Sequence, residues 1–260
     1  MKQGEVIFLG AGPGDPELIT LKGYRALQEA DRVIYAGSLV NPELLKYCRE
    51  GIPIYDSSVL TLEEVIGLME QGVRRGEKVV RLHTGDPSVY GAIQEQIDKL
   101  VERGIPFSVI PGVSSVFAAA AALKREFTLP EVSQTLILTR LAGRTPVPER
   151  EDLALLAKHR ASMAIFLSVQ EIGSVVNGLR QGYPPATPVA VVYKASWPDE
   201  KIILGTLETI EELVRNAGIF RQAMILVGDF LTSGLISSDY ARSKLYDPSF
   251  SHGYRQGNES

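Results

Sequence analysis

Cysteine is nearly absent from this 260-residue chain: Cys48 stands alone, which rules out an internal disulfide. Histidine is almost as scarce, and the three histidines fall in no cluster with zinc-ligand spacing, so no metal ligand set is expected. Long hydrophobic runs are missing too. The longest uninterrupted apolar stretch, Val116 to Leu123, is far below the ~20 residues of a spanning helix. Neither sign of charge dominates, and a formal charge of -4 gives no general attraction to nucleic acid or anionic lipid. No nucleic-acid or membrane partner is expected, and a polyanionic ligand would have to meet a local basic patch. The amino terminus offers one lysine and a strand-length apolar run before Gly10, without the cleavage pattern of a secretory leader, so the expected home is the cytoplasm. Low-complexity tracts and short-period repeats are likewise absent.

What is present is the composition of a soluble globular protein, 45% hydrophobic and 22% charged, with enough length for two domains. The apolar run Val6 to Leu9 enters Gly10-Ala11-Gly12-Pro13-Gly14-Asp15-Pro16, a backbone shaped for close approach. Thr20 caps a helix with Leu21, Tyr24 and Leu27 on one face, and Arg32 to Tyr35 is a second strand. Asn41-Pro42 opens a short helix, and Ile52 to Tyr55 reads as an edge strand. Thr61 and Glu64 have capping-box spacing before a helix with apolar Val65, Ile66, Met69 and Val73. Lys78 to Leu82 is a central strand. A helix with Ile93, Ile97, Leu100 and Val101 on one face follows, then a strand from Pro106 to Ile110. The small apolar residues from Val116 to Ala122 predict a helix buried all round.

Strands and helices alternating at this pace give a parallel α/β sheet, and the first domain ends at residue 123. Five further strands begin near Thr135, Met163, Pro188, Ile202 and Ala223, with helices from Glu171 to Arg180 and from Leu207 to Asn216. Tyr193 and Ile202 are too close for an intervening helix, so this sheet contains a hairpin and is mixed. The second domain spans residues 124–232, and residues 233–260 form a tail, polar and disordered from Asp247 onward.

Ligands of open α/β sheets bind outside the carboxyl ends of the strands. Three glycine-bearing loops fall there: the first one, His83-Thr84-Gly85-Asp86-Pro87, and Pro111-Gly112-Val113-Ser114-Ser115. Each alone reads as a tight turn; together they outline a site in which Gly85 and Gly112 let main-chain atoms touch a ligand. A dinucleotide fits poorly, because the third glycine of G-x-G-x-x-G would fall on Asp15 and the second strand ends Tyr35-Ala36-Gly37-Ser38 without the ribose-binding acid. Pro13 also removes an amide donor. A ligand without a diphosphate is expected.

Gly10 to Leu18, Tyr35 to Val40, His83 to Ala92 and Pro111 to Ser115 closely resemble the motifs of the tetrapyrrole methylases. Within that family Gln134 to Arg140, Gly143 to Glu149 and Val192 to Glu200 resemble the branch that methylates C11 of a reduced tetrapyrrole in corrin synthesis. The resemblance runs from about residue 4 to about residue 230. It implies a homodimer of two-domain α/β chains, with a mostly parallel first sheet, a mixed second sheet and S-adenosylmethionine held in the cleft between the domains.

By motif position, Pro13, Thr84, Gly85, Asp86, Val89, Ser114 and Ser115 would line the cofactor from the first domain, and Leu167, Ala195 and Ala223 from the second. Thr84 stands where some relatives of other regiospecificity carry glycine. Gly12 would border the tetrapyrrole, and a valine there is expected to block it without unfolding the domain. Arg140, Arg144 and Lys194, with Lys124 and Arg125, could meet its carboxylates. His83, Asp86 and Tyr90 are acid-base candidates, though His83 could simply end a strand, Asp86 cap a turn and Tyr90 belong to the core. Two other readings stay open: a methylase of the same superfamily acting on a macromolecule, such as a diphthine synthase-like enzyme, and a dinucleotide-binding oxidoreductase or sensor.

Overall fold

The computed structural model describes residues 4–37, 39–231 and 243–258. Ser38, part of one motif, lies outside them, as does the start of the expected tail. By its contacts the chain forms two units, Met1–Ala119 with Lys194–Glu200, and Ala120–Tyr193 with Lys201–Ser260. The division falls just before the expected boundary, and it groups with the first unit a segment that the sequence placed in the second.

The first unit is built on a fully parallel sheet in the order β3 (Ile54–Asp56), β2 (Arg32–Tyr35), β4 (Lys78–His83), β1 (Glu5–Gly10), β5 (Phe107–Ile110). As expected, β4 is central and β3 is an edge. Alternation along β1 sends Val6 and Phe8 to one face, with Ile66 and Met69 of α2 (Leu62–Arg74) and Leu100 of α3 (Gln94–Glu102). Ile7 and Leu9 go to the other, with Leu27 of α1 (Leu21–Glu29) and Leu44. Each such side chain, once fully buried, stabilises the unit by about 1.5–3 kcal/mol. The Thr61–Glu64 capping box forms, and Thr20 and Asn41 cap their helical turns. Burial pushes the pKa of the Cys48 thiol up.

Three helix faces differ from the sequence expectation. In α1 the buried stripe is Gly23 and Leu27, while Leu21 is exposed. A Cβ on Gly23 would lie 2.6 Å from Leu9 Cδ1, so the helix meets the sheet through its glycine. In α3, Gln96 and Leu100 are buried and Val101 faces out. In α4 (Ser115–Leu123), Val116, Ala119 and Ala120 are buried, but Phe117 and Ala121 form an exposed i, i+4 pair, so the helix is not covered all round.

The second unit carries the mixed sheet β6 (Leu136–Arg140), β7 (Ser162–Phe166), β10 (Ala223–Val227), β8 (Pro188–Tyr193), β9 (Lys201–Thr206). Only β6 and β7 run parallel; β8 and β9 are the expected hairpin. Its core joins Met163, Ile165, Val191 and Ile225 to α5 (Leu153–Ala157), α6 (Ile172–Leu179) and α7 (Ile210–Asn216). Where the sequence expected disorder, Arg255 gathers the carbonyls of Leu245, Asp247 and Phe250.

Candidate active site

The three glycine loops interlock at the carboxyl ends of β1, β4 and β5. Gly12 and Gly85 each donate an N–H to the other's carbonyl, at 3.3 and 2.9 Å. A Cβ on Gly10 would lie 2.5 Å from Gly112 N and 2.6 Å from Gly85 O, and one on Gly112 would lie 2.2 Å from Gly85 O. Gly10 and Gly112 are therefore glycine because loop meets loop, and not in the first place because a ligand must approach. Gly12 has φ +78° and room for a Cβ only 3.0 Å from Leu18 O. A valine there would strain the backbone before it obstructed any ligand, so the clean separation expected from the sequence does not hold.

Asp86 ties the second loop to the third. Its carboxylate accepts from Gly112 N–H at 2.9 Å, from Ser88 N–H at 2.8 Å and from the Ser88 hydroxyl. Partial burial raises its pKa, but these hydrogen bonds outweigh burial and hold the carboxyl below its ordinary value. Such a group is a brace and a weak base.

His83, level with Gly10 in the sheet, is 4% exposed and lies against the Phe8 ring at 5.9 Å. Burial, and then the neighbouring Arg81 charge, pull its pKa down to about 3, so the ring is neutral near pH 7. Arg81 is itself 7% exposed, donates to Gln96 Oε1 and the Ile34 carbonyl, and has no carboxylate partner among the described residues. Two buried polar atoms at this strand end, His83 Nε2 and Thr84 Oγ1, have no hydrogen-bond partner among the described residues. Tyr90 is exposed and not core, and it takes φ +55°, two residues before Ala92 at φ +48°. Val89 closes the turn on the Asp86 carbonyl; Ser114 is buried, its carbonyl starting α4, whose first residue is Ser115.

Lys194 and Ala195 enter this unit with the segment Lys194–Glu200. Trp197, which the sequence reading did not single out, sits on Gly14 and donates its indole N–H to the Pro13 carbonyl at 3.0 Å. The Asp15 amide donates to Ser196 Oγ at 3.0 Å, and Asn41 Nδ2 holds the Gly14 carbonyl at 2.8 Å. The only sequence sign of this role is a lone tryptophan in the tip between two strands. Lys194, expected to meet substrate, lies 5.3 Å over the Trp197 ring and 2.6 Å from Asp199. Pro13 and Ala195 are both buried.

The remaining candidates belong to the second unit. Arg140 ends β6, paired with Phe166, and the next residue, Leu167, is exposed at φ +54°. Ala223 opens β10, where it pairs with Tyr193 of β8. Arg140 donates to the carbonyls of Leu141, Thr145 and Pro146, so its guanidinium braces its own loop. Arg144 in that loop is exposed. Among the described residues no group of acidic, His and Cys side chains is placed to hold a metal ion.

The amides of Ala11, Gly12, Asp15, Gly85 and Gly112 are all engaged within the protein. These five amides are therefore not offered to a pyrophosphate, and the Thr84 hydroxyl, unpartnered among the described residues, is open to a ligand. The family model of the Tetrapyrrole (Corrin/Porphyrin) Methylases matches residues 5–211. The chain is 58% identical to the cobalt-precorrin-4 C(11)-methyltransferase of Methanocaldococcus jannaschii, over 98% of this chain and 97% of that one. It is 48% identical to the precorrin-4 C(11)-methyltransferase of Pseudomonas aeruginosa, over 97% and 99%. The X-ray structure of a cobalt precorrin-4 methyltransferase, described as a cobalamin biosynthetic enzyme, matches with TM-score 0.85 at 49% identity, covering 87% of this chain and 95% of that one. Uroporphyrin-III C-methyl transferase from Thermus thermophilus, solved with S-adenyl homocysteine, matches with TM-score 0.75 at 29% identity, over 92% and 98%. With a family model spanning most of its length and relatives matched nearly end to end, the chain belongs to the tetrapyrrole methylases.

Proposed function

We propose that the chain is an S-adenosylmethionine-dependent methyltransferase acting at C11 of precorrin-4 or cobalt-precorrin-4 in corrin synthesis. The observation that carries this reading is the 58% identity, over nearly all of both chains, to a relative named for that reaction. The bound sulfonium would supply the methyl group: the acceptor's ring carbon forms the new C–C bond, and the S–C electron pair returns to sulfur.

Such a displacement gains chiefly from alignment, and the interlocked loops at Gly12, Gly85 and Gly112 supply a wall tied by main-chain hydrogen bonds and close backbone packing. Pro13, Thr84, Gly85, Asp86, Val89, Ser114, Ser115 and Ala195, with Leu167 and Ala223, are the residues proposed to hold the cofactor. The neutral His83 and the hydrogen-bonded Asp86 are weak bases, and exposed Tyr90, a phenol, gives a proton more readily than it takes one up, so Tyr90 is proposed as an acid and hydrogen-bond donor. Gly12, Arg144 and Lys194 are proposed for the tetrapyrrole side, with Arg140 shaping the loop that carries Arg144.

The test is incubation with methyl-labelled S-adenosylmethionine and the two acceptors. Label appearing at C11 is expected, and label that stays in the cofactor overturns the reading. We also place the enzyme in the cytoplasm as a homodimer. Supporting this are the exposed Phe117–Ala121 pair on α4 and the lack, among the described residues, of a helix long and apolar enough to cross a membrane. Light scattering at a monomer's mass would reject the dimer.

A further inference from the structure

Gly14 is packed against by an indole. A Cβ built on it would lie 2.0 Å from both Cδ1 and Nε1 of Trp197, so the absent side chain is the seat of the ring. Gly14, unlike Gly12, has no positive φ, and the atoms a side chain there would meet first all belong to the ring.

The ring is presented by a tip that is closed on itself. Trp197 N–H donates to the Lys194 carbonyl at 2.9 Å, Glu200 N–H to the Trp197 carbonyl at 3.1 Å, and Ser196 N–H to Glu200 Oε2 at 2.7 Å. Lys194 and Ser196 are held at φ +47° and +72°, conformations that cost energy in a residue with a side chain. Two hydrogen bonds and one packing contact from this tip to the glycine loop offset that cost: Trp197 Nε1 to the Pro13 carbonyl, the Asp15 amide to Ser196 Oγ, and the indole on Gly14. Between the strained residues lies buried Ala195. The tip thus carries one proposed cofactor residue, Ala195, and fastens it to another, Pro13.

We infer that Trp197 is a positioning residue for the methyl donor: seated on Gly14, it fixes the Pro13 and Ala195 backbones relative to each other so that they form one wall of the donor site. This rests on the methyltransferase reading above, and the wild-type control separates the two, since a protein that does not bind S-adenosylhomocysteine at all fails that reading before any variant is made.

The variants are Trp197→Ala, Trp197→Phe, Gly14→Ala and the double Gly14→Ala/Trp197→Ala, each checked for a cooperative melt. Trp197 is the chain's single tryptophan, so its emission reports the seat directly. In Gly14→Ala the emission shifts to the red as the ring is expelled. Trp197→Ala and Gly14→Ala should each weaken S-adenosylhomocysteine binding about tenfold, the scale of one lost hydrogen bond with its packing. The double variant should lose no more than either single one, because all three remove the same contact. Trp197→Phe, which keeps a ring but has no N–H, should recover part of the loss. The KM for S-adenosylmethionine should rise while that for the tetrapyrrole at saturating donor stays put. Unchanged donor affinity, additive losses in the double variant, an unshifted emission in Gly14→Ala, or equal rises in both KM values would each overturn the assignment.

Discussion

Gly12 and Gly85, 73 positions apart, exchange a reciprocal pair of main-chain hydrogen bonds at 3.3 and 2.9 Å. The loops after β1 and β4 are thereby one structure, and Gly112 packs into the angle between them. This arrangement makes the site a property of the sheet's carboxyl edge and not of any single loop.

Its tightness is testable at Gly112. A methyl there would sit 2.2 Å from Gly85 O and 2.8 Å from Gly10 Cα, both backbone, so no side chain can yield. Gly112→Ala should cost about 1–3 kcal/mol, as overpacking does. For a chain of this length that is a fall of roughly 2–4 °C in Tm per kcal/mol. Gly104→Ala is the control: it also replaces a glycine, at φ +62°, but its Cβ would meet nothing within 4 Å, so only backbone strain is expected.

Asp86 should show the same wiring through pH. Its folded-state pKa lies below the ordinary 3.8, so its contribution is fully present above that value and lost as pH falls through the folded one. Asp86→Asn keeps the shape but turns one acceptor into a donor facing N–H groups. At pH 7 it should cost about 1.5–3 kcal/mol, the range for hydrogen bonds to a charged group. The Tm gap between wild type and Asp86→Asn should be constant from pH 7 to about 5 and close below about 4. A gap that persists undiminished at pH 2.5 would mean the carboxylate's charge is irrelevant to the brace.

Much of this is legible in the amino-acid sequence. Strand identities, the Thr61 capping box, the edge position of Ile54 and the hairpin after Tyr193 all follow from period, caps and turn length, which are local. The meeting of three loops followed from topology, since strands with parallel neighbours put their following loops on one edge. What stayed hidden depends on residues far apart in the chain. Trp197 and Pro13 are separated by 184 positions, and no local pattern marks a glycine as an indole's seat. Leu21 fitted a helical stripe, but Gly23 won the buried face because only a glycine let α1 reach Leu9. Arg140 looked like a free cation because sequence does not show that three carbonyls of its own loop would claim it.

Arg140→Ala should therefore act on a loop before it acts on a ligand. Losing three carbonyl partners frees residues 141–146, and hydrogen exchange there should speed up without a change in the strands of the same sheet. Arg140→Lys, with a point charge in place of the planar fork, should hold at most part of the loop. If exchange in 141–146 is unchanged while tetrapyrrole affinity falls, Arg140 meets the substrate directly and the bracing role is wrong.

His83 carries a prediction whose sign is set by burial. Its folded pKa, about 3, lies far below the ordinary 6.5, so between those values the unfolded chain binds a proton that the native one refuses. Stability is complete above about pH 6.5 and declines as pH falls, with a slope of up to about 1.4 kcal/mol per pH unit from this residue. Nitrogen-15 shifts of the ring should accordingly stay those of a neutral imidazole from pH 8 to pH 5. Arg81 contributes the smaller part of the effect, so Arg81→Met should raise the His83 pKa yet leave it below 6.5, because burial, the larger cause, is untouched. Substituting the arginine removes a buried guanidinium that has only neutral acceptors, so it should destabilise far less than breaking a buried ion pair. Observation of an imidazolium at pH 6 in the folded wild type would return His83 to the list of acid-base groups; its absence leaves the ring as an uncharged wall beside Thr84.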